Sequence, residues 1–451
     1  MPVVTARVTD LIGQTPLFEL AATTGGTKLY LKLESMNPTG AAKIRMARAM
    51  VDDAEARGLL ATGGHIIEST SGNTGLGLAV VAAERGYRFT AVVDNHACRD
   101  KLRAMKAMGA ELVFVAEEGN DSLSTSAREE LAEKMAAEEC AAAERAGLRP
   151  NTYFTEQHNN DANAVGYYAL ADELLAALGT VDVLISAVGT GGSMFGTARR
   201  LRENGFEPLL YGVEPVGSIA FGGPAGPYWQ SGTGTPEGAD PGKIVDEDLG
   251  LLEEGVKVSD VEAFATARVI AAKLGLMIGG SAGGSVFAAL DRLSEFPAES
   301  TVVTIVGDGG EKYLDTVFDD DWMSDRDLLD VETERKVAEM LDRYAPASRQ
   351  RRMEPALATT PARTTPAVVN SSATTSVAVS SSAPAASSAM ATSAPATTSA
   401  ANAAEATRAS AAAATSAPAA SAPQRQTAPP AISPHANELE LVGQSNGAAA
   451  K

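Results

Sequence analysis

Lys43 stands in the run Asn37-Pro38-Thr39-Gly40-Ala41-Ala42-Lys43-Ile44-Arg45, and a second polar run follows it, Thr70-Ser71-Gly72-Asn73-Thr74-Gly75. An amine that attacks a carbonyl carbon must first shed its proton. A helix N-terminus beside a polar, partly dry cleft helps by disfavouring the ammonium form. Apolar spacing of three and four begins just after Lys43, which puts its amine at such a start. In the second run, hydroxyls, an amide and backbone donors are the groups needed to hold a carboxylate, and Asn73 can also donate to a phenolate-like oxygen. Together the two runs point to an aldehyde held by an amine, beside an anion pocket. Taken singly, each has a simpler reading: a solvated surface lysine, and a helix cap made by Ser71 or Asn73.

Two glycine runs extend the pattern. Gly189-Thr190-Gly191-Gly192-Ser193 follows an apolar run at 181–187 and precedes a helical stretch beginning near Met194. Small residues there let backbone N–H groups approach phosphate oxygens, with Thr190 and Ser193 adding hydroxyl donors and the helix start adding positive potential. A dinucleotide fingerprint does not fit, because Met194 occupies the place of its last glycine, and no GxxxxGK[ST] run occurs. Gly279-Gly280-Ser281-Ala282-Gly283-Gly284-Ser285 opens another helix and offers the hydroxyl of Ser281 among glycines. A hydroxyl facing a pyridine nitrogen does not force that nitrogen to stay protonated, which favours β-elimination and replacement over transamination. By itself the first run is equally a tight strand-to-helix turn, and the second another glycine-rich helix entry.

The elements that must position these residues alternate along 1–345, the pattern of an α/β protein with parallel sheets. Strands are expected at 29–33, 65–68, 89–93, 112–115, 181–187, 209–213 and 301–306. Several of these are nearly continuous apolar runs, as in strands covered by helices on both faces. Helices are expected at 45–57, 74–84, 101–108, 163–178 and 261–274, with Gly86, Gly109 and Gly179 as closing residues. The polar runs therefore lie at the carboxyl ends of strands, where sites in open α/β sheets collect. Past Pro346 the chain turns to Ala, Ser, Thr and Pro. It has too few large apolar side chains to offset the entropy of ordering, so 346–451 is expected to be a disordered tail behind a body at 1–345. The stretch between Gly222 and Gly234 reads as a mobile substrate loop or simply an exposed one.

Charge limits the partners. The tail holds seven Lys and Arg against four Glu, so of the net −20 about −23 falls on 1–345. Such a body repels phosphate backbones, and nucleic acid is not expected as a partner. No apolar run is long enough to span a membrane and none opens the chain as a secretory signal, so a cytoplasmic location without membrane attachment is expected. Cys98 and Cys140 lack metal-ligand spacing, as do His65, His96, His158 and His435, and no metal is expected.

Read together with Ile12-Gly13-Gln14-Thr15-Pro16-Leu17, Val213-Glu214-Pro215-Val216-Gly217-Ser218-Ile219 and Tyr313-Leu314-Asp315-Thr316, these runs closely resemble the cysteine synthase and cystathionine β-synthase family of fold-type II pyridoxal phosphate enzymes. The resemblance covers about 5–323. It implies a two-domain fold of the tryptophan synthase β type, with open, parallel-rich sheets flanked by helices. The smaller domain would span about 38–145, and the larger about 1–37 plus 146–330. It implies pyridoxal 5'-phosphate as cofactor, with Lys43 as its Schiff-base lysine and base, Asn73 on its ring hydroxyl, Gly189, Thr190, Gly191, Gly192 and Ser193 on its phosphate, and Ser281 on its pyridine nitrogen. Thr70, Ser71, Thr74 and Gln157 would receive the carboxylate of a small amino-acid substrate.

The reaction implied is β-replacement on serine or an O-activated serine through an aminoacrylate, with sulfide or another small thiol as nucleophile, in a homodimer. The alternatives are an amine-using, diaminopropionate-type synthase, a cysteine desulfhydrase, or a catalytically idle protein that binds cofactor or partners. Ala42 and Ile44 depart from the family's usual hydroxyl or branched residue before the lysine and acid after it, so the cofactor carries over more safely than the substrates.

Overall fold

A computed structural model describes residues 4–94, 98–115 and 124–349. Except for 346–349, the segment expected to be a disordered tail lies outside the described residues. Among the described residues ten strands form two sheets: β1 Leu17–Ala22, β2 Lys28–Leu33, β3 His65–Ser69, β4 Arg88–Val93, β5 Glu111–Phe114, β6 Thr152–Phe154, β7 Val183–Ala187, β8 Leu209–Pro215, β9 Glu254–Val258 and β10 Thr301–Val306. Six are ordered β1-β2-β10-β7-β8-β9 and four β5-β4-β3-β6. β1 runs antiparallel to β2, and the other pairings are parallel.

The helices are α1 Lys43–Ala56, α2 Asn73–Arg85, α3 Arg99–Ala107, α4 Ser124–Arg145, α5 Asp161–Val165, α6 Tyr168–Leu178, α7 Gly192–Glu203, α8 Lys243–Asp248, α9 Asp260–Leu274, α10 Gly280–Arg292, α11 Asp320–Ser324 and α12 Val331–Arg343. Alternate residues of the central strands enter opposite layers, as a sheet sandwiched by helices requires. Leu184 packs in a core shared with α1, α2, α6 and α7, whereas its neighbours Val183 and Ile185 pack with α9, α10 and α12. The first of these cores also takes in Ile66, Ala91 and Val93 of the smaller sheet, so it is continuous between the two sheets.

The seven expected strands are present, the one at 301–306 with the expected ends and the others with one or both ends shifted by one or two residues. Gly86, Gly109 and Gly179 take positive φ after their helices. The helix expected at 163–178 is instead two, broken at Gly166 and Tyr167, where the chain passes against the backbone of α1 at Met46. That break leaves Asn163 on a short helix of its own. β1, β6 and β9 were not foreseen, nor was the 22-residue α4, whose inward positions include the alanines Ala132 and Ala136 and give a faint apolar stripe.

The stretch between Gly222 and Gly234 divides. Its first part is exposed, but Gln230 and Thr233 are buried. Thr233 Oγ1 and Gly234 N–H both donate to the Val188 carbonyl at 2.8 Å, which lays this part along the entry to the glycine run at 189–193. Trp229 anchors it further, packing edge-on to Trp322 with the Arg326 guanidinium against both rings. Among the described residues no helix is long and apolar enough to cross a membrane.

Candidate active site

Lys43 is the first residue of α1, and the turn before it is tied to the loop that leaves β10. Ala42 N–H donates to the Gly307 carbonyl at 2.8 Å, and Ala41 bridges Asp308. α2 starts alongside, because Gly77 lets it approach the backbone of Ile44. Ile44 itself is fully buried, so the apolar residue after the lysine serves the crossing of these helices. The Lys43 amine reaches Thr190 Oγ1 of the glycine run at 3.3 Å. Loss of hydration pulls this amine down to about 8, while the charge of Glu68 acts in the opposite direction.

Thr190 is buried, and Asn163 Nδ2 donates to its hydroxyl at 2.9 Å and to the Gln157 carbonyl at 2.7 Å. Asn163 Oδ1 occupies the place a Cβ would need at Gly192, so that position is closed to any larger residue. Ser193 is the second residue of α7, and its hydroxyl flanks the helix start; its carbonyl accepts from Thr197.

The run at 70–75 is held from within and from across the cleft. Thr70 Oγ1 accepts from the Gly75 N–H at 3.1 Å, and Thr74 Oγ1 donates to Gln157 Oε1 at 2.7 Å. Gln157 Nε2 in turn donates to Glu68 Oε1 at 3.1 Å. Glu68 is buried and also accepts from Thr155 Oγ1; burial pushes its carboxyl up to about 8. Ser71 faces another way. Its hydroxyl donates to Asp94 Oδ2 at 3.3 Å and accepts from Arg128 Nη1 at 2.8 Å.

Asn73 is the first residue of α2, whose N-cap is Gly72 with no capping side chain, so neither Ser71 nor Asn73 caps the helix. Its amide is engaged instead by Asp308 and Lys312. Ser281 is the second residue of α10, reached through Gly279, whose N–H donates to the Asp308 carbonyl at 3.1 Å. It thus borders the same loop without a direct bond to Lys43.

The starts of α1, α2, α7 and α10 therefore converge, none capped by the side chain of its N-cap residue, and first-turn N–H groups other than those of Gly75, held by Thr70 Oγ1, and Arg45, held by the Ala42 carbonyl, remain for an anion. α3, α6 and α8 also start uncapped, whereas α5, which carries Asn163, is capped by Asn160, and α9, α11 and α12 by Ser259, Asp319 and Asp330. Asn163 Oδ1 and Asp308 Oδ1 are buried atoms without hydrogen-bond partners at the edge of this convergence. An amine with lowered pKa, a glycine-lined helix start and a ring of neutral donors together fit a group bearing both an aldehyde and a phosphate. The site belongs to the class that holds such a carbonyl cofactor at the carboxyl ends of parallel strands.

Comparison with known proteins makes the assignment specific. The family described as "Pyridoxal-phosphate dependent enzyme" matches residues 8–308, and the chain belongs to it. A protein of Sinorhizobium fredii with a provisional cysteine synthase name is 48% identical over 327 residues, 72% of this chain and 93% of that protein. The N-(2-amino-2-carboxyethyl)-L-glutamate synthase of Ralstonia nicotianae is 34% identical over 70% of this chain and 90% of its own length. Among solved structures, the O-acetylserine dependent cystathionine β-synthase of Helicobacter pylori superposes with a TM-score of 0.62 at 30% identity, over 70% of this chain and 99% of that one. The chain is a fold-type II enzyme that uses pyridoxal phosphate.

Motif reading missed residues that join the runs, Glu68, Asn163, Asp308 and Lys312, and it named Tyr313 without its bond to Asp308. One signal was available. Gly307-Asp308-Gly309-Gly310 follows the apolar strand at 301–306 as the runs at 70–75 and 189–193 follow theirs, and the same argument applies to it.

Proposed function

We propose that this enzyme catalyses β-replacement on a small amino acid, serine or an O-activated serine, with sulfide or a thiol as nucleophile. The observation that carries the reading is the Lys43 amine, desolvated at a helix start and directed at the glycine run through Thr190. When bound, pyridoxal phosphate supplies an aldehyde that amines can join and a ring that draws electrons from an attached α-carbon. Lys43 would hold that aldehyde. Released by the incoming amino group, its amine would hold the proton taken from the substrate's α-carbon and return it after the nucleophile has added. Gly189, Thr190, Gly191, Gly192 and Ser193 would bind the phosphate with N–H and hydroxyl groups, Asn73 the ring oxygen, and Ser281 the ring nitrogen. Thr70 and Thr74, with Gln157 across the cleft, would orient the substrate carboxylate. Ser71 would contribute through its position beside Arg128.

An amine as second substrate is the reading to test against this one, since the Ralstonia relative bears the name of an enzyme that joins an amino-carboxyethyl group to glutamate nitrogen. We also propose a homodimer in the cytoplasm. The two sheets support two domains, with the smaller ending near 155 because β6 pairs with β3. The test is visible absorption of the purified holoenzyme on adding serine, O-acetylserine or cysteine, followed by a panel of sulfide, thiols and amines. A spectral change with one donor and turnover with a thiol support the proposal. Turnover with amines only would move the assignment to an amine-using synthase.

A further inference from the structure

Resting on the reading above, we propose that Asp308 and Lys312 are positioning residues that lock the carboxamide of Asn73, so that its second N–H is presented to the ring oxygen of bound pyridoxal phosphate. Lys312 Nζ donates to Asn73 Oδ1 at 3.0 Å, and Asn73 Nδ2 donates to Asp308 Oδ2 at 2.8 Å. An ammonium can only donate and a carboxylate can only accept, so this pair admits one orientation of the amide. Turning it over would set N–H against ammonium and oxygen against carboxylate. One Nδ2 hydrogen is spent on Asp308 and the other remains to serve an oxyanion.

Both arms are themselves braced. Asp308 is 2% exposed and its Oδ2 also accepts from Tyr313 at 2.7 Å, while Lys101 donates to the Tyr313 hydroxyl at 3.3 Å and lies over its ring. Lys312 donates to the Thr39 carbonyl at 2.8 Å, in the turn leading to Lys43. Asp308 Oδ1 faces the start of α10 at Gly279, where a Cβ would meet it, and has no partner of its own. A carboxylate kept for folding would be expected to bond the nearby ammonium directly. Here the amide of Asn73 is interposed between the two, which uses both charges to orient a neutral group.

The test is a double-mutant cycle read by the dissociation constant of pyridoxal phosphate and by the ratio of its visible to near-ultraviolet absorption when bound. Asp308→Asn, Asn73→Ala and the pair are compared with wild type, and thermal melts confirm folding. Lys312→Met is run through the same cycle and decides the matter where Asp308→Asn does not fold. The expected result is that Asp308→Asn weakens cofactor binding about tenfold and alters the band ratio in the wild-type background, yet changes neither once Asn73 is Ala. Equal effects in both backgrounds, or no effect in either, would overturn the lock and leave the assignment of the cofactor site intact. A wild-type protein that binds no pyridoxal phosphate would overturn both.

Discussion

Two clusters of buried charge lie close to each other along α1, and they are built on opposite principles. Around Arg45, two cations meet two anions with their bonds complete. Arg45 donates to both oxygens of Glu34 at 2.6 and 2.8 Å and to both of Glu173 at 2.9 Å, and Lys32 closes the set on Glu173 at 2.6 Å. Burial works against the guanidinium, but Glu34 and Glu173 more than reverse it and hold Arg45 firmly charged. Two residues earlier, Lys43 has a hydroxyl as its side-chain partner, and burial pulls it down to about 8. The first cluster is balanced and fixes where α1 sits. The second is left short of countercharge, so its groups change protonation within reach of physiological pH, as an amine that must be both nucleophile and base requires.

The comparison is broken most directly by Lys43→Ala. Turnover should fall by about a thousandfold or more, the scale of losing a proton-transfer group and covalent anchor together, with Tm unchanged or raised. Substantial residual β-replacement would contradict the role given to Lys43. Arg45→Met should do the reverse. Removing one member of a balanced cluster strands Glu34, while Glu173 keeps Lys32, and should cost about 3–5 kcal/mol in denaturant unfolding. Activity per folded molecule should be changed far less than in Lys43→Ala. A stability loss below about 1 kcal/mol would mean that the cluster is not what holds α1.

Legibility in the sequence follows the same division. The runs at Lys43, 70–75, 189–193 and 279–285 are local, and although each alone has a simpler reading, their glycine and hydroxyl residues taken together point to a ligand. Their strands were equally legible, since a sheet covered on both faces demands continuous apolar runs. The links between runs were not. Asn73 and Asp308 are 235 residues apart, and Lys43 and Thr190 147, so only the parallel crossovers of the two sheets bring them together. Arg45 closes the quoted run around Lys43, and nothing in its neighbourhood named Glu34 and Glu173 as partners. Thr15 of the Gly13-Gln14-Thr15-Pro16 run also belongs to that cluster, donating to Glu34 Oε1 at 2.6 Å, so one motif that carried the family resemblance holds the scaffold.

Glu68 sharpens the contrast with a smaller and pH-dependent effect. It sits beside the cleft, bonded to Gln157 and Thr155, and burial raises it from its ordinary value to about 8. Between its unfolded value of about 4.5 and a folded value of about 8, the folded state holds a proton that the unfolded state has released. Stability from this group is therefore full at acid pH and is lost as pH rises to about 8. Lys43 slopes the other way, because its folded value lies below its unfolded one, and its contribution recovers between about 8 and 10.5. Glu68→Gln keeps the shape and the hydrogen bonds but cannot ionise. Relative to wild type, its unfolding free energy in cofactor-free protein should be close at pH 5, rise with pH, and level off above pH 8 at a gain of about 1–3 kcal/mol. Melts of the two proteins across that range that stay parallel would show that Glu68 remains ionised throughout and is neutralised like Glu34, which would erase the difference between the two clusters.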